Sequence, residues 1–173
     1  TGTFSITPTD DAISDVNETI NLSLTATSTD SQLCNSSLSS STVTIVDNEA
    51  TPTITLAASA SSIAENAGSS ITLTATSSIV SGSDITVSFD TSGTTTEGTD
   101  YGTISDITIS AGSTTGTTTF TPTDDSMYET STDETATIAI DSVSGGSAAE
   151  NGTQSVTITI TENESTPTVT LSR

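Results

Sequence analysis

From Thr51 to Glu164, apolar residues alternate with Thr and Ser almost without interruption. The runs "ITLTAT", "ITVSF", "ITISA", "ATIAI" and "VTITIT" each put Ile, Leu, Val, Phe or Ala on one face and hydroxyls on the other. A period of two is the period of a strand, whose successive side chains point to opposite sides. Turn residues divide the pattern into seven predicted strands, about 53–58, 69–78, 84–90, 103–110, 115–121, 134–142 and 154–161. The first fifty residues add three more, about 2–7, 18–27 and 41–46. No segment has helical spacing. One apolar and one hydroxylated face per strand predicts two stacked antiparallel sheets, each with one wet side, so an all-β sandwich.

The pattern also repeats at long range. "NEATPTITL" at Asn48 to Leu56 returns as "NESTPTVTL" at Asn163 to Leu171, and "TPTDD" occurs at Thr7 to Asp11 and at Thr121 to Asp125. Pro52 and Pro167 are 115 residues apart, and Pro8 and Pro122 are 114 apart. Fixed-period self-similarity marks repeated domains. Residues 1–50 read as the C-terminal half of one repeat, 51–165 as a complete repeat, and 166–173 as the first strand of a following one. Three strands cannot close a sandwich, so the half-repeat needs either its own first half or a strand from another copy of the chain.

Composition narrows the chemistry. Hydrophobic residues make up 30 % of the 173 and aromatics 3 %, so the core is thin and aliphatic. Twenty-two acids stand against one base, Arg173, giving a net charge of -21, with no His. Nucleic acid and anionic membrane surfaces are excluded as partners, since both need Lys and Arg. No apolar run is long enough for a membrane helix. The single Cys34 cannot form an intrachain disulfide and reads as a small residue in a loop or strand edge. Without His, and with one Cys, zinc, haem and iron–sulfur sites are ruled out, and triad chemistry with them. Carboxylates remain, and they suit the hard cations Ca2+ and Mg2+.

Connections between consecutive antiparallel strands alternate between the two ends of a sandwich. Sorted that way, one end receives Glu65 in "IAENAG", Glu97 and Asp100 in "TEGTDY", Asp124, Asp125, Glu129, Asp133 and Glu134 in "TDDSMYETSTDE", and Glu162 and Glu164 in "TENE". The loops "SSIVSGSD", "SAGSTTG" and "SVSGGSAAENG" at the other end hold only Asp84 and Glu150. Taken singly, each acid is an ordinary solvated turn residue. Together at one tip they repel one another unless a cation neutralises them. Strand 7 exits at the same tip, so a cation there would sit at the junction with the next repeat.

The stretches "SSIAENAGSSITLTAT", "TTTEGTDYGTISDITISAGSTTGTTTFTPTDDSMYE" and "VTITITENE" resemble a Calx-beta repeat, found in sodium–calcium exchangers and in tandem arrays of large bacterial surface proteins. The resemblance covers nearly the whole chain. It implies a seven-stranded immunoglobulin-like β-sandwich that binds Ca2+. The ligands it implies are Glu65, Asp100, Asp124, Asp125 and Glu129, with the terminal run Glu162, Asn163 and Glu164. In the half-repeat they are Asp10, Asp11 and Asp15, with Asp47-Asn48-Glu49, of which Asp47 and Glu49 carry the charge. Ser126 and Ala12 stand where the family has a third consecutive acid, and Asn interrupts the terminal run. The loop before Glu134 is two residues longer than its counterpart before Glu18.

The function expected is a structural Ca2+-binding module of an extracellular filament or giant cell-surface adhesin. Its partners would be neighbouring repeats, or other copies through strand complementation or filament packing. The alternative is a Ca2+-sensing regulatory module, which needs a tighter site and an effector domain. An ice- or carbohydrate-binding face built on Thr117, Thr119 and Thr121 is outweighed by the ordinary wet face of a strand. A glycosidase using paired carboxylates lacks Trp and a cleft-forming insertion, so no enzyme is expected. Asn17, Asn21, Asn35, Asn151 and Asn163 begin N-x-Ser/Thr sequons, which arise by chance in so hydroxylated a chain.

Overall fold

The computed structural model describes residues 3–23, 40–128 and 133–173. The first fifty residues give β1 (Ile13–Ser14), β2 (Glu18–Ser23) and β3 (Ser40–Ile45). The following repeat gives β4 (Thr53–Ala58), β5 (Ser62–Ala64), β6 (Ile71–Ser77), β7 (Val80–Ser81), β8 (Ile85–Gly93), β9 (Ile107–Ile109), β10 (Thr115–Phe120), β11 (Glu134–Ser144), β12 (Ala149–Glu150) and β13 (Ser155–Thr161). Two sheets form the sandwich, one in the order β10-β6-β4-β12 and one in the order β5-β13-β11-β8-β9. β4, β6, β8, β9, β10, β11 and β13 pair antiparallel, and the two-residue β12 and three-residue β5 add parallel edges. The protein is an all-β, immunoglobulin-like sandwich.

The alternation in sequence becomes burial directly. Ile71, Leu73 and Ala75 of β6 point inward from one sheet, and Ala136, Ile138 and Ile140 of β11 from the other. Ile54, Ile85, Val87, Ile107, Ile109 and Ile158 fill the space between them. The largest buried side chains, Tyr101 and Phe120, stack with ring centroids 4.8 Å apart near the end of β10. The core lies outside the first fifty residues: every buried hydrophobic residue among those described lies between Ile54 and Ile160. The bend at the end of β8 demands glycine. Gly93 has φ +128°, and a Cβ there would meet the Thr135 carbonyl oxygen at 2.1 Å.

Two predicted strands come out differently. Residues 3–7 form no strand, although one is predicted over 2–7. The corresponding β10, which also leads into a "TPTDD", is held by pairing with β6, and residues 3–7 have no such strand beside them among the described residues. Predicted strand 103–110 shortens to β9, because the chain before it leaves the sheet edge and the Gly102 N–H bonds instead to the Thr121 carbonyl. The part of the strand predicted over 24–27 lies outside the described residues, as do Cys34 and Asn35.

The first fifty residues form a two-stranded sheet of their own. β2 pairs antiparallel with β3, with Glu18 opposite Ile45 and Leu22 opposite Ser41. The same fifty residues also meet the next repeat: β1 pairs parallel with β7, Ile13 opposite Val80 and Ser14 opposite Ser81. The Gly82 N–H extends the seam by donating to the Ser14 carbonyl at 2.9 Å. Ser14 and Ser81 are both buried there. A Cβ on Gly82 would stand 2.9 Å from the Asp15 Cβ, so glycine lets the two backbones approach.

Candidate metal centre

Three strands and one loop build the acidic tip of the complete repeat. β5 runs parallel to the end of β13, with Ala64 opposite Thr161, and the Glu65 N–H donates to the Thr161 carbonyl at 3.1 Å. That pairing sets Glu65 beside the exit of β13. Carboxylate oxygens of Glu65, Glu162 and Glu164 all lie within 4.8 Å of one another, from positions 97 and 99 residues apart in sequence. Glu65 is buried, and Glu162 and Glu164 are half-buried.

The exit itself folds as a tight turn around Glu162, whose Oε1 accepts the N–H groups of Asn163 at 2.9 Å and Glu164 at 3.0 Å. Asn163 Nδ2 donates to Glu164 Oε1 at 2.7 Å, so Asn163 serves as a donor to its neighbour's carboxylate. Glu164 Oε2 is shielded from solvent without a hydrogen-bond partner among the described residues. The Glu164 carboxyl is pushed above its ordinary pKa by its hydrogen bond with Glu162, by desolvation, and by the charges of Glu162, Asp124 and Asp125. Asp124 and Asp125 therefore belong to the same electrostatic neighbourhood.

The loop "GTDY" reaches this tip through the core. Tyr101 is held against Phe120 and bridges Pro122, while the Thr123 N–H donates to the Asp100 carbonyl at 2.9 Å. Asp100 is thus tied to the arm that carries Asp124. Its carboxylate, however, accepts the Thr96 N–H of its own loop and is not one of the three gathered oxygens. Asp125 Oδ1 accepts the Met127 N–H two residues on. Glu129 lies outside the described residues. Glu97 bridges Tyr101 on the same loop, and Asp133 is exposed. At the other end Asp84 Oδ1 caps its neighbouring loop by accepting the Ala111 N–H at 2.8 Å.

The first fifty residues gather acids of their own, with Glu18 beside the five expected ligands. Asp10, Asp11, Asp15, Asp47 and Glu49 line one cleft of about 90 Å³. Asp47 Oδ2 accepts the Asp15 N–H at 3.3 Å, and the Asp47 N–H is held by Asn17 Oδ1 at 2.9 Å. The Glu49 carboxyl is raised by its hydrogen bond with Asp47, then by desolvation and by the charges of Asp47 and Asp10.

The donor set fits a hard divalent cation. All side-chain donors are oxygens, one of them is sequestered without a partner among the described residues, and neighbouring carboxylates push the Glu164 and Glu49 carboxyls up. Two oxygens bound to one Ca2+ at roughly 2.3–2.6 Å can be no more than about 5.2 Å apart, a limit the three glutamates respect. Composition pointed to carboxylates, and loop parity put Glu65, Glu162 and Glu164 at one end among ten acids sorted there. What sequence reasoning missed is the seam at Ser14 and Ser81, which no hydrophobic signal marks.

No protein-family model and no curated protein matches the sequence. Among solved structures the apo form of the Calx CBD1 domain is similar, with TM-score 0.51 and 19 % identity over 66 % of this chain and 99 % of that domain. The CBD12 structure from CALX1.2 aligns at TM-score 0.48 and 22 % identity, over 58 % of this chain and 40 % of that one. The sandwich therefore has a Calx-beta-like fold.

Proposed function

We propose that this chain is part of a tandem array of Ca2+-binding structural modules, in which Ca2+ at each acidic tip stiffens the junction to the next repeat. In this reading residues 1–50 close one repeat, 51–165 form the next, and 166–173 open a third. The observation that carries it is the position of Asp15, which lines the acidic cleft of the half-repeat and also abuts Gly82 of the following repeat. A cation in that cleft would order a loop whose next residues form the seam. A Ser/Thr-coated, lysine-free surface supports the finer reading, an extracellular filament or giant cell-surface adhesin. The proposed role is mechanical, with no catalysis, and the partners are neighbouring repeats or further copies of the chain.

The test is calorimetric titration of the full chain with Ca2+, paired with thermal unfolding in Ca2+ and in chelator. Extracellular modules bind at roughly 10⁻⁴–10⁻³ M, and Ca2+ at 100 times the dissociation constant stabilises by about 2.7 kcal/mol per site. Absence of both heat and thermal shift contradicts the proposal. Affinity of about 10⁻⁷–10⁻⁵ M moves the reading to a regulatory sensor.

A further inference from the structure

We infer that Met127 and Tyr128 form the docking strand for the next repeat, pairing parallel with its copy of the Val80–Ser81 edge as Ile13 and Ser14 pair with Val80 and Ser81 here. This deepens the reading of the chain as a tandem-repeat module and rests on it, but it does not depend on which ion binds.

Three observations converge. First, both arms are launched by the same turn: Asp11 Oδ1 accepts the Ile13 N–H at 2.8 Å, and Asp125 Oδ1 accepts the Met127 N–H at 2.6 Å. Second, both arms stand on the same scaffold. Glu18 faces Ile45 in one hairpin and Glu134 faces Ile160 in the other, in identical register. Third, the arm with a partner is covered and the other is not. Ile13 is half-buried and Ser14 buried, whereas Met127 is 66 % exposed. A large apolar side chain presented at a strand-ready position marks a surface that expects a partner.

The occupant follows from the established seam. The linker from the acidic tip to the next strand has the same length in both places, Asn48 to Leu56 and Asn163 to Leu171, with proline at the same point. A following repeat on that linker would bring its Val-Ser-Gly edge to Met127. A second free copy of this chain offers no vacant edge, since its own Ile13–Ser14 already covers Val80–Ser81. Tyr128 replaces Ser14, so the new seam carries a ring where the present one carries a hydroxyl.

The experiment appends residues 59–164 to the full chain, so that 166–173 lead into a second complete repeat, and replaces Cys34 by Ser. Met127→Cys is combined with Val80→Cys in the appended repeat. Opposed strand positions stand about 4.8 Å apart, within disulfide reach. Ile13→Cys with Val80→Cys in the original chain is the reference. The expected result is oxidative cross-linking within about twofold of the reference yield. Cross-linking at the background of single-cysteine chains, with the reference intact, overturns the inference. Hydrogen exchange on the unsubstituted extended chain reads the same contact: the appended Gly82 amide should be protected as the first one is, and free exchange there overturns it. Each measurement is run in Ca2+ and in chelator beside a Ca2+ titration. Cross-linking without Ca2+ binding supports docking and removes the calcium reading, and Ca2+ binding without cross-linking removes docking alone.

Discussion

In β2–β3, Ile20 stands opposite Val43, and in β11–β13, Ala136 stands opposite Ile158, each in the same place of the same register. The burial is not the same. Val43 is 38 % exposed and Ile158 is 0 % exposed. Ile6, before one "TPTDD", is 38 % exposed, while Phe120, before the other, is 0 % exposed. The β2–β3 pair is a local object, specified by its own alternation. The core is not local, because it needs the sheet that carries β4 and β6. The same holds for the two acidic tips. Both gather acids from the arm and from the exit, but only the complete repeat adds buried Glu65, carried in by β5.

The largest effect that should separate the two regions is in the core. Phe120→Ala should cost about 3–5 kcal/mol by chemical denaturation, as expected for an aromatic removed from a packed site. Ile6→Ala, at the equivalent position, should cost about 1 kcal/mol or less, because its neighbours are partly solvent already. Equal losses would break the comparison.

Next comes the metal. Glu65→Gln removes one charge from the complete repeat's tip and nothing from the half-repeat's. In a calorimetric titration it should weaken one class of Ca2+ site by roughly tenfold or more, in line with the dependence of affinity on ligand charge. A titration unchanged from the parent chain would show that the three glutamates do not share an ion.

A smaller effect is expected at the seam. Gly82→Ala puts a methyl group against the Asp15 Cβ, which costs about 1 kcal/mol if the backbones stay together. The expected outcome is faster exchange of the Gly82-side amides with the sandwich amides unchanged. Loss of protection across the whole complete repeat would mean the seam is part of its core.

The smallest effect is on pH dependence. The folded carboxyls of Glu49 and Glu164 lie above the ordinary value of 4.5, so the folded chain holds more protons than the unfolded chain above that pH. Stability in chelator should therefore rise as pH falls from neutrality toward 4.5. In Ca2+ the trend should reverse, since protons compete with the cation for the same oxygens. A flat melting profile in chelator would contradict the shared electrostatics of the two tips.

Much of this was legible in sequence, for a physical reason. A strand with one wet face writes its period into the chain, so β4, β6, β10 and β13 stand where alternation put them. Loop parity needs only that consecutive strands reverse direction, and it brought Glu65 to Glu162 and Glu164. The short β1, β5, β7 and β12 stand outside any long alternating run, so they were invisible as separate strands. Each exists through a long-range partner. The direction of the Asp100 carboxylate was equally hidden, since a short acid in a turn can serve its own backbone. The strand over residues 2–7 failed because alternation states a capacity to pair, not the presence of a partner.

In the proposed function, a cation at the cleft of the first fifty residues holds the junction. Spin labels at the exposed Thr44 and Thr117, in a chain with Cys34→Ser, report the distance across that junction. Pulsed electron–electron resonance should give one narrow distance distribution in Ca2+ and a broad one in chelator. Superimposable distributions in the two conditions would contradict it.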